Sequence, residues 1–181
     1  MGIRRVVTGH DAAGKAVFAS DEEVEPTTLS LVPGAEFYRL WGLDETARFP
    51  DDGSQRSSLQ YFPPVGGVRF GLFSVAPDSA VFVEDLDIEA ALAEMEERLP
   101  GLAGHMEPDN PGMHTTATVD YEFIVSGSVV LELDDGATRE LSVGDTVVQN
   151  GTRHAWRNPY DEPCLLVVVL VGAHHDNVSA G

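Results

Sequence analysis

His114-Thr-Thr116-Ala-Thr118-Val-Asp120-Tyr-Glu122-Phe-Ile-Val125 is the stretch that decides the fold. Side chains alternate faces along a strand. His114, Thr116, Thr118, Asp120 and Glu122 therefore share one face, and Tyr121, Phe123 and Val125 share the other. An ordinary soluble sheet turns its apolar face inward. A strand with a continuous polar face makes sense when that face lines a cavity, so the pattern predicts a rolled sheet with polar groups inside.

The flanking sequence repeats the strand signal at close spacing. Ser126-Gly127 ends the first strand, and Val129–Leu133 runs to Asp134-Asp135-Gly136, a hairpin signal. Thr138–Val143 meets Gly144-Asp145, Thr146–Gln149 meets Asn150-Gly151, and Thr152–Asn158 precedes Pro159–Pro163. Cys164–Val171 is a fully apolar strand. Short strands separated by turn residues predict an antiparallel sandwich or barrel. On the Thr152–Asn158 segment His154, Trp156 and Asn158 share a face. Two distant histidines and carboxylates pointing into one barrel make a metal-site arrangement.

Upstream, Glu36–Gly42 and Val68–Val75 read as strands. In the second, Val68, Phe70 and Leu72 are expected to face the core, opposite Arg69 and Gly71. Residues 84–100 form the one helical pattern, with Ile88, Ala91, Leu92, Met95 and Leu99 on one stripe. Asp85 or Asp87 can cap it, and Pro100-Gly101 stops it. Asp21–Pro26 reads as an exposed acidic loop, Asp44–Ser58 as a polar loop, and residues 173–181 as a flexible tail.

Composition narrows the function classes. The chain has 181 residues, enough for one domain with a core that needs no disulfide. Thirty acids against eleven bases give a net charge of −19, which repels phosphate backbones and anionic membranes. Neither nucleic acid nor membrane is an expected partner. The single cysteine, Cys164, excludes disulfide scaffolds and sits where an inert buried thiol would. No run reaches the ~20 apolar residues of a membrane helix. The N-terminal residues turn polar too soon for a signal core, so the expected location is the cytoplasm.

Gly112-Met-His114 … Asp120 … Gly127, followed by Gly144-Asp145 … Gly151-Thr-Arg-His154-Ala-Trp-Arg-Asn158, resembles the two motifs of the cupin superfamily over roughly residues 108–172. The resemblance implies an all-β fold, a double-stranded β-helix or jelly-roll barrel at 65–172. An N-terminal arm at 1–64 and a helical insertion at 84–100 complete one domain. It matches His114 to the first motif histidine, Asp120 to the motif carboxylate and His154 to the second-motif histidine. Thr116 stands where the family has its second histidine, and Glu122 could replace or supplement Asp120.

Two histidines and one carboxylate suit Fe(II), with zinc, manganese or nickel also acceptable. The implied function is a metal-dependent enzyme acting on a small organic substrate, with a non-haem oxygenase favoured. Isomerase, cyclase, decarboxylase or lyase chemistry and a metal-free ligand-binding cupin are the alternatives. Glu122 and Trp156 are the expected catalytic groups, and Thr116, Thr118 and Asn158 the expected substrate contacts. A homodimer is implied by the resemblance alone. Each residue also has a structural alternative. Asp120 could pair with Arg153 or Arg157, His154 could hydrogen-bond inside the barrel, Trp156 could be a packing wall, and Asn158 could fix a turn. His10, His105, His174 and His175 are expected to be solvated, with His105 a reserve ligand.

Overall fold

The computed structural model describes residues 2–55, 60–80 and 86–178. Ten strands and one α-helix are described, in the order β1 (Ile3–His10), β2 (Ala16–Val24), β3 (Phe37–Leu43), β4 (Val68–Val75), α1 (Ile88–Arg98), β5 (Thr118–Ser126), β6 (Ser128–Glu132), β7 (Thr138–Ser142), β8 (Thr146–Asn150), β9 (Ala155–Arg157) and β10 (Cys164–Gly172). A five-stranded sheet in the order β3-β4-β10-β5-β8 faces a three-stranded sheet, β7-β6-β9. All their pairings are antiparallel. This is the all-β, double-stranded β-helix architecture.

β10 sits at the centre because its apolar run has two covered faces. Cys164, Leu166, Val168 and Leu170 face inward, and all are buried. Cys164 and Leu166 join Ile124, Val129 and partly buried Trp156 in a core between the two sheets. Val168 and Leu170 pack with Leu29, Phe62, Met95, Leu99 and Leu102. The turn chemistry follows the sequence. Asp135 and Gly136 both have positive φ (57° and 71°), as the hairpin between β6 and β7 requires. Gly127 has φ 73°, and a Cβ there would lie 2.6 Å from the Pro163 carbonyl oxygen.

Several expectations need correction. Regular strand begins at Thr118 rather than His114, and the later segment is strand only at Ala155–Arg157. Between them, His114 and His154 form an isolated antiparallel bridge. The acidic run Asp21–Val24 is not a loop. It lies in β2, where Glu22 and Glu23 stand opposite Arg5 and Arg4 of β1. Arg4 donates two hydrogen bonds of 2.7 Å to Asp21, and Arg5 pairs with Glu22. The cations that order the run lie 17 residues upstream, outside any local window.

On β4 the expected faces are reversed. Arg69 and Gly71 are buried on the inner side, whereas Phe70 is 40% exposed. Leu72 packs outside, with Tyr38 and Leu40 beneath Ile3 and Val24 of the hairpin. The hairpin supplies a second apolar layer, so the apolar face of β4 did not mark the barrel interior. Buried Arg69 is satisfied by the carbonyls of Gln60, Leu43 and Val68 and by the Asp44 carboxylate.

In α1 the Asp87 side chain caps the Ala90 N–H at 3.0 Å. Ala91, Met95 and Leu99 are buried, but Ile88 and Leu92 are 54% and 42% exposed, so the apolar stripe is narrower than expected. Residues 84–85 of the expected helix, 56–58 of the polar loop and 179–181 of the tail lie outside the described residues. The described part of the tail is anchored: Ala173 N–H donates to the Ala117 carbonyl, and the His175 ring meets the Gly151 carbonyl. Among the described residues no helix is long and apolar enough to cross a membrane.

Candidate functional site

β5 brings its polar face inside. Thr118, Asp120 and Glu122 are 2%, 3% and 5% exposed, whereas Tyr121 and Phe123 on the opposite face are 51% and 44%. Thr116, also buried, shares a hydrogen bond of 2.8 Å with the Thr118 hydroxyl. Asp120 has its pKa lifted to about 6, chiefly by burial, against a hydrogen bond from Thr118. Glu122 is pushed up to about 8, first by burial and then by the Asp120 charge. Near neutral pH the pair therefore holds one proton between two carboxyl groups. Asp120 Oδ1 and Glu122 Oε2 are buried without a hydrogen-bond partner among the described residues. Buried polar atoms seldom stay unpaired, so two together mark a place where another donor belongs.

A cavity of about 280 Å³ lies on the β3–β4 side of the sheet, walled by inner residues such as Arg69, Val168 and Leu170 and by outer ones such as Tyr38, Phe70 and Leu72, and neither Asp120 nor Glu122 lines it. Register relates the cavity to the acids. Leu170 lies between Arg69 on β4 and Asp120 on β5, and Val168 between Gly71 and Glu122. Arg39 of β3 stands opposite Gly71. The acids are thus one strand beyond the cavity wall, on the same inner face. Tyr61 links the two groups. Burial raises its pKa most, Arg39 opposes that rise, and Asp120 and Glu122 add to it. Arg39 donates to the Gln60 carbonyl at 3.3 Å, and burial, then the Arg69 charge, lowers its pKa.

The two motif histidines form a second cluster. Their backbones exchange hydrogen bonds of 2.9 Å, and their ring centroids are 4.2 Å apart. Nδ1 of His114 faces the Gly112 carbonyl at 3.0 Å, and Nδ1 of His154 faces the Thr152 carbonyl at 2.8 Å. A carbonyl only accepts, so each Nδ1 carries the proton and each Nε2 keeps its lone pair. Burial, then the charge of His114, takes the His154 pKa down to about 4. Burial also lowers that of His114.

The expected ligand set of His114, Asp120 and His154 is not assembled. Among the described residues no group of three or more His, Cys, Asp or Glu side chains is placed to hold a metal ion. Thr116, at the missing-histidine position, spends its hydroxyl on Thr118. The side chains present therefore do not fit a three-ligand centre.

The remaining candidates are placed as follows. Trp156 is partly buried against the inter-sheet core and lies 6.2 Å from both the Phe73 and His154 rings, which is the place of a packing wall. Asn158 is fully buried and internally satisfied. Its amide donates to the Val75 and Glu162 carbonyls, and its side-chain oxygen accepts from Tyr160 N–H. It clamps the turn before β10, which leaves it no free group for a substrate. Arg153 and Arg157 do not reach Asp120: Arg153 pairs with Glu107 and Asp134, and Arg157 with Glu132. His105 ends a short 3₁₀ turn, bonded to the Gly101 carbonyl, with its ring tilted against that of Phe62 at 4.6 Å.

Arg39, Arg69 and Tyr61 escaped the sequence reading. The available signal was a lone arginine inside each of two apolar strands, Glu36–Gly42 and Val68–Val75. Such a residue is buried only when paired.

Residues 104–170 match the Cupin domain family. Phomopsin biosynthesis cluster protein D from Diaporthe leptostromiformis is 48% identical over 154 residues, which is 85% of this chain and 69% of that protein. Cupin-domain-containing oxidoreductase srdB from Neurospora crassa is 26% identical over 175 residues, 92% of this chain and 72% of that protein. Oryzines biosynthesis cluster protein J from Aspergillus oryzae is 45% identical over 49 residues, so the match spans 27% of that relative's length. The chain belongs to the cupin superfamily.

Proposed function

We propose that this cupin is an enzyme that moves a proton on a small organic molecule held against the inner face of β5. Asp120 and Glu122 are the exchanging pair. The observation that carries this reading is the pair itself: two carboxyl groups on one inner face, each with a buried oxygen lacking a partner. One protonated and one ionised carboxyl can give a proton to one atom and take one from another, the work of general acid–base catalysis. Thr118 donates a hydrogen bond to Asp120, and the Tyr61 phenol lies within the fields of Arg39, Asp120 and Glu122. Isomerase, cyclase and lyase reactions use this chemistry.

The test is deuterium exchange. The purified chain is incubated in D₂O with small ketones, hydroxy acids and amino acids, and NMR follows loss of substrate C–H signals. Exchange lowered by about 10²–10⁴ in both Asp120→Asn and Glu122→Gln supports the pair. Exchange that survives both substitutions removes it from the chemistry, and no exchange with any compound leaves the ligand-binding cupin.

A second reading, the metal-dependent oxygenase, is favoured by the His114–His154 pair, whose Nε2 atoms are unprotonated. The name of the Neurospora crassa relative, an oxidoreductase, points the same way. It requires a third ligand that the described side chains do not bring to the pair. Metal analysis decides it. A stoichiometric divalent ion, Fe(II) foremost, lost in His114→Ala and His154→Ala supports this reading, and a metal-free protein with unchanged ligand affinity in both variants removes it.

A further inference from the structure

We propose that the outer face of the sheet at β4, β10, β5 and β8 is the contact surface for a second copy of this chain, packed sheet on sheet about a twofold axis. Cross-strand register builds this face. Phe70, Val169, Tyr121 and Val148 are direct partners on successive strands and form one continuous rung. The rungs on either side are Val171–Val119–Asn150 and Val167–Phe123–Thr146. None of these residues is charged, in a chain whose net charge is −19. Ile3 and Val24 of the β1–β2 hairpin pack with Tyr38, Leu40 and Leu72, which covers the β3 end of the face. Beyond that end the rungs stay bare: Phe70, Tyr121, Phe123 and Val148 are 40%, 51%, 44% and 56% exposed. The face lies on the other side of β5 from Asp120 and Glu122, so this contact is independent of the reaction proposed for them.

Size and charge select the occupant. Four strands about 4.8 Å apart and three rungs about 7 Å apart make an apolar face of about 400 Å². A stable interface buries about 800 Å² per partner, an apolar core within a polar rim, and the face has the size of that core. Bare apolar patches of a few hundred Å² on soluble proteins commonly mark contact sites. A twofold contact lays one patch on its own copy. Here it sets uncharged residues against uncharged residues and buries no acid, whereas an acidic face would meet its own like charge. A basic partner would be drawn to the acids rather than to a face without them. Facing sheets stand about 10 Å apart, a gap that the Tyr121 and Phe123 rings of two copies fill.

Sedimentation velocity on the full chain, from about 1 to about 100 μM, tests this by mass action. A dimer is expected at the upper end, and about 0.5 M NaCl should favour it by screening the repulsion between copies. Tyr121→Glu and Val148→Glu each put a charge into the face and should weaken the dimer about a hundredfold or more. Phe18→Ser, on the hairpin where the ring is 79% exposed, should leave it unchanged. Hydroxyl-radical footprinting of the wild-type protein decides even where a variant misfolds. Tyr121 and Phe123 should be oxidised several-fold less at the upper concentration than at the lower, and Phe18 equally at both. A wild-type chain that stays monomeric at the upper concentration in high salt overturns the proposal. So does a dimer that survives both glutamate substitutions, or one that forms without protecting Tyr121 and Phe123. A dimer undone by Phe18→Ser, with Tyr121 oxidised equally at both concentrations, moves the contact to the hairpin and overturns this face.

Discussion

Glu122 sets the pH behaviour expected of single residues. Its carboxyl is raised from 4.5 to about 8 in the folded protein, so the folded state holds the proton more tightly than the unfolded chain. The stability this confers is complete below about pH 4.5 and is lost as pH rises through 8. His154 has the opposite sign, because its pKa falls from 6.5 to about 4 and stability is lost as pH drops through that window. Between pH 6.5 and 8 the Glu122 loss is no longer offset by His154. At about 1.4 kcal/mol per pKa unit, the whole Glu122 window amounts to a few kcal/mol. Urea denaturation of Glu122→Gln should show a variant more stable than wild type above pH 8 and a flatter decline towards it. An unchanged slope would remove Glu122 as the titrating group. The neighbouring hydroxyl acts on Asp120: Thr118→Val removes a hydrogen bond to the carboxylate, so its NMR-detected pKa should move further up.

At the scale of elements, α1 and the β5–β6 turn were legible in the sequence because their determinants are local. Asp87 lies three residues before the N–H it caps, and Gly127 supplies the positive φ of the turn. Asp87→Ala should cost about 1 kcal/mol in chemical denaturation. Gly127→Ala should cost more than the ~1–2 kcal/mol of the left-handed conformation alone, because the new methyl also meets the Pro163 carbonyl. A Gly127→Ala protein as stable as wild type would contradict this turn geometry. β2 was illegible for the converse reason. Asp21 and Glu22 look like solvated loop acids until Arg4 and Arg5 arrive from another strand. The face of β4 was misread because the hairpin buries its apolar side from without, leaving Arg69 inside.

For the whole molecule, the net charge of −19 implies self-repulsion in the compact state. Raising NaCl from a few millimolar to ~0.2 M shortens the Debye length to under 10 Å. Tm by calorimetry should rise over that range, and a falling Tm would mean that exposed pairs such as Arg4–Asp21 outweigh the repulsion. Sequence alone determined that the chain rolls into an antiparallel barrel and that the even-numbered residues of β5 turn inward. Turn residues and a two-residue period are written locally, and both survive whatever the strand packs against. Only the tertiary structure decided the membership of the site. It parted Asp120 and Glu122 from the two histidines, locked Asn158 into a turn, and aligned the acids across β10 with Arg69 and Arg39. Strand order and covering layers are set by contacts between residues far apart in the chain, and a periodicity cannot report which partner a face will meet.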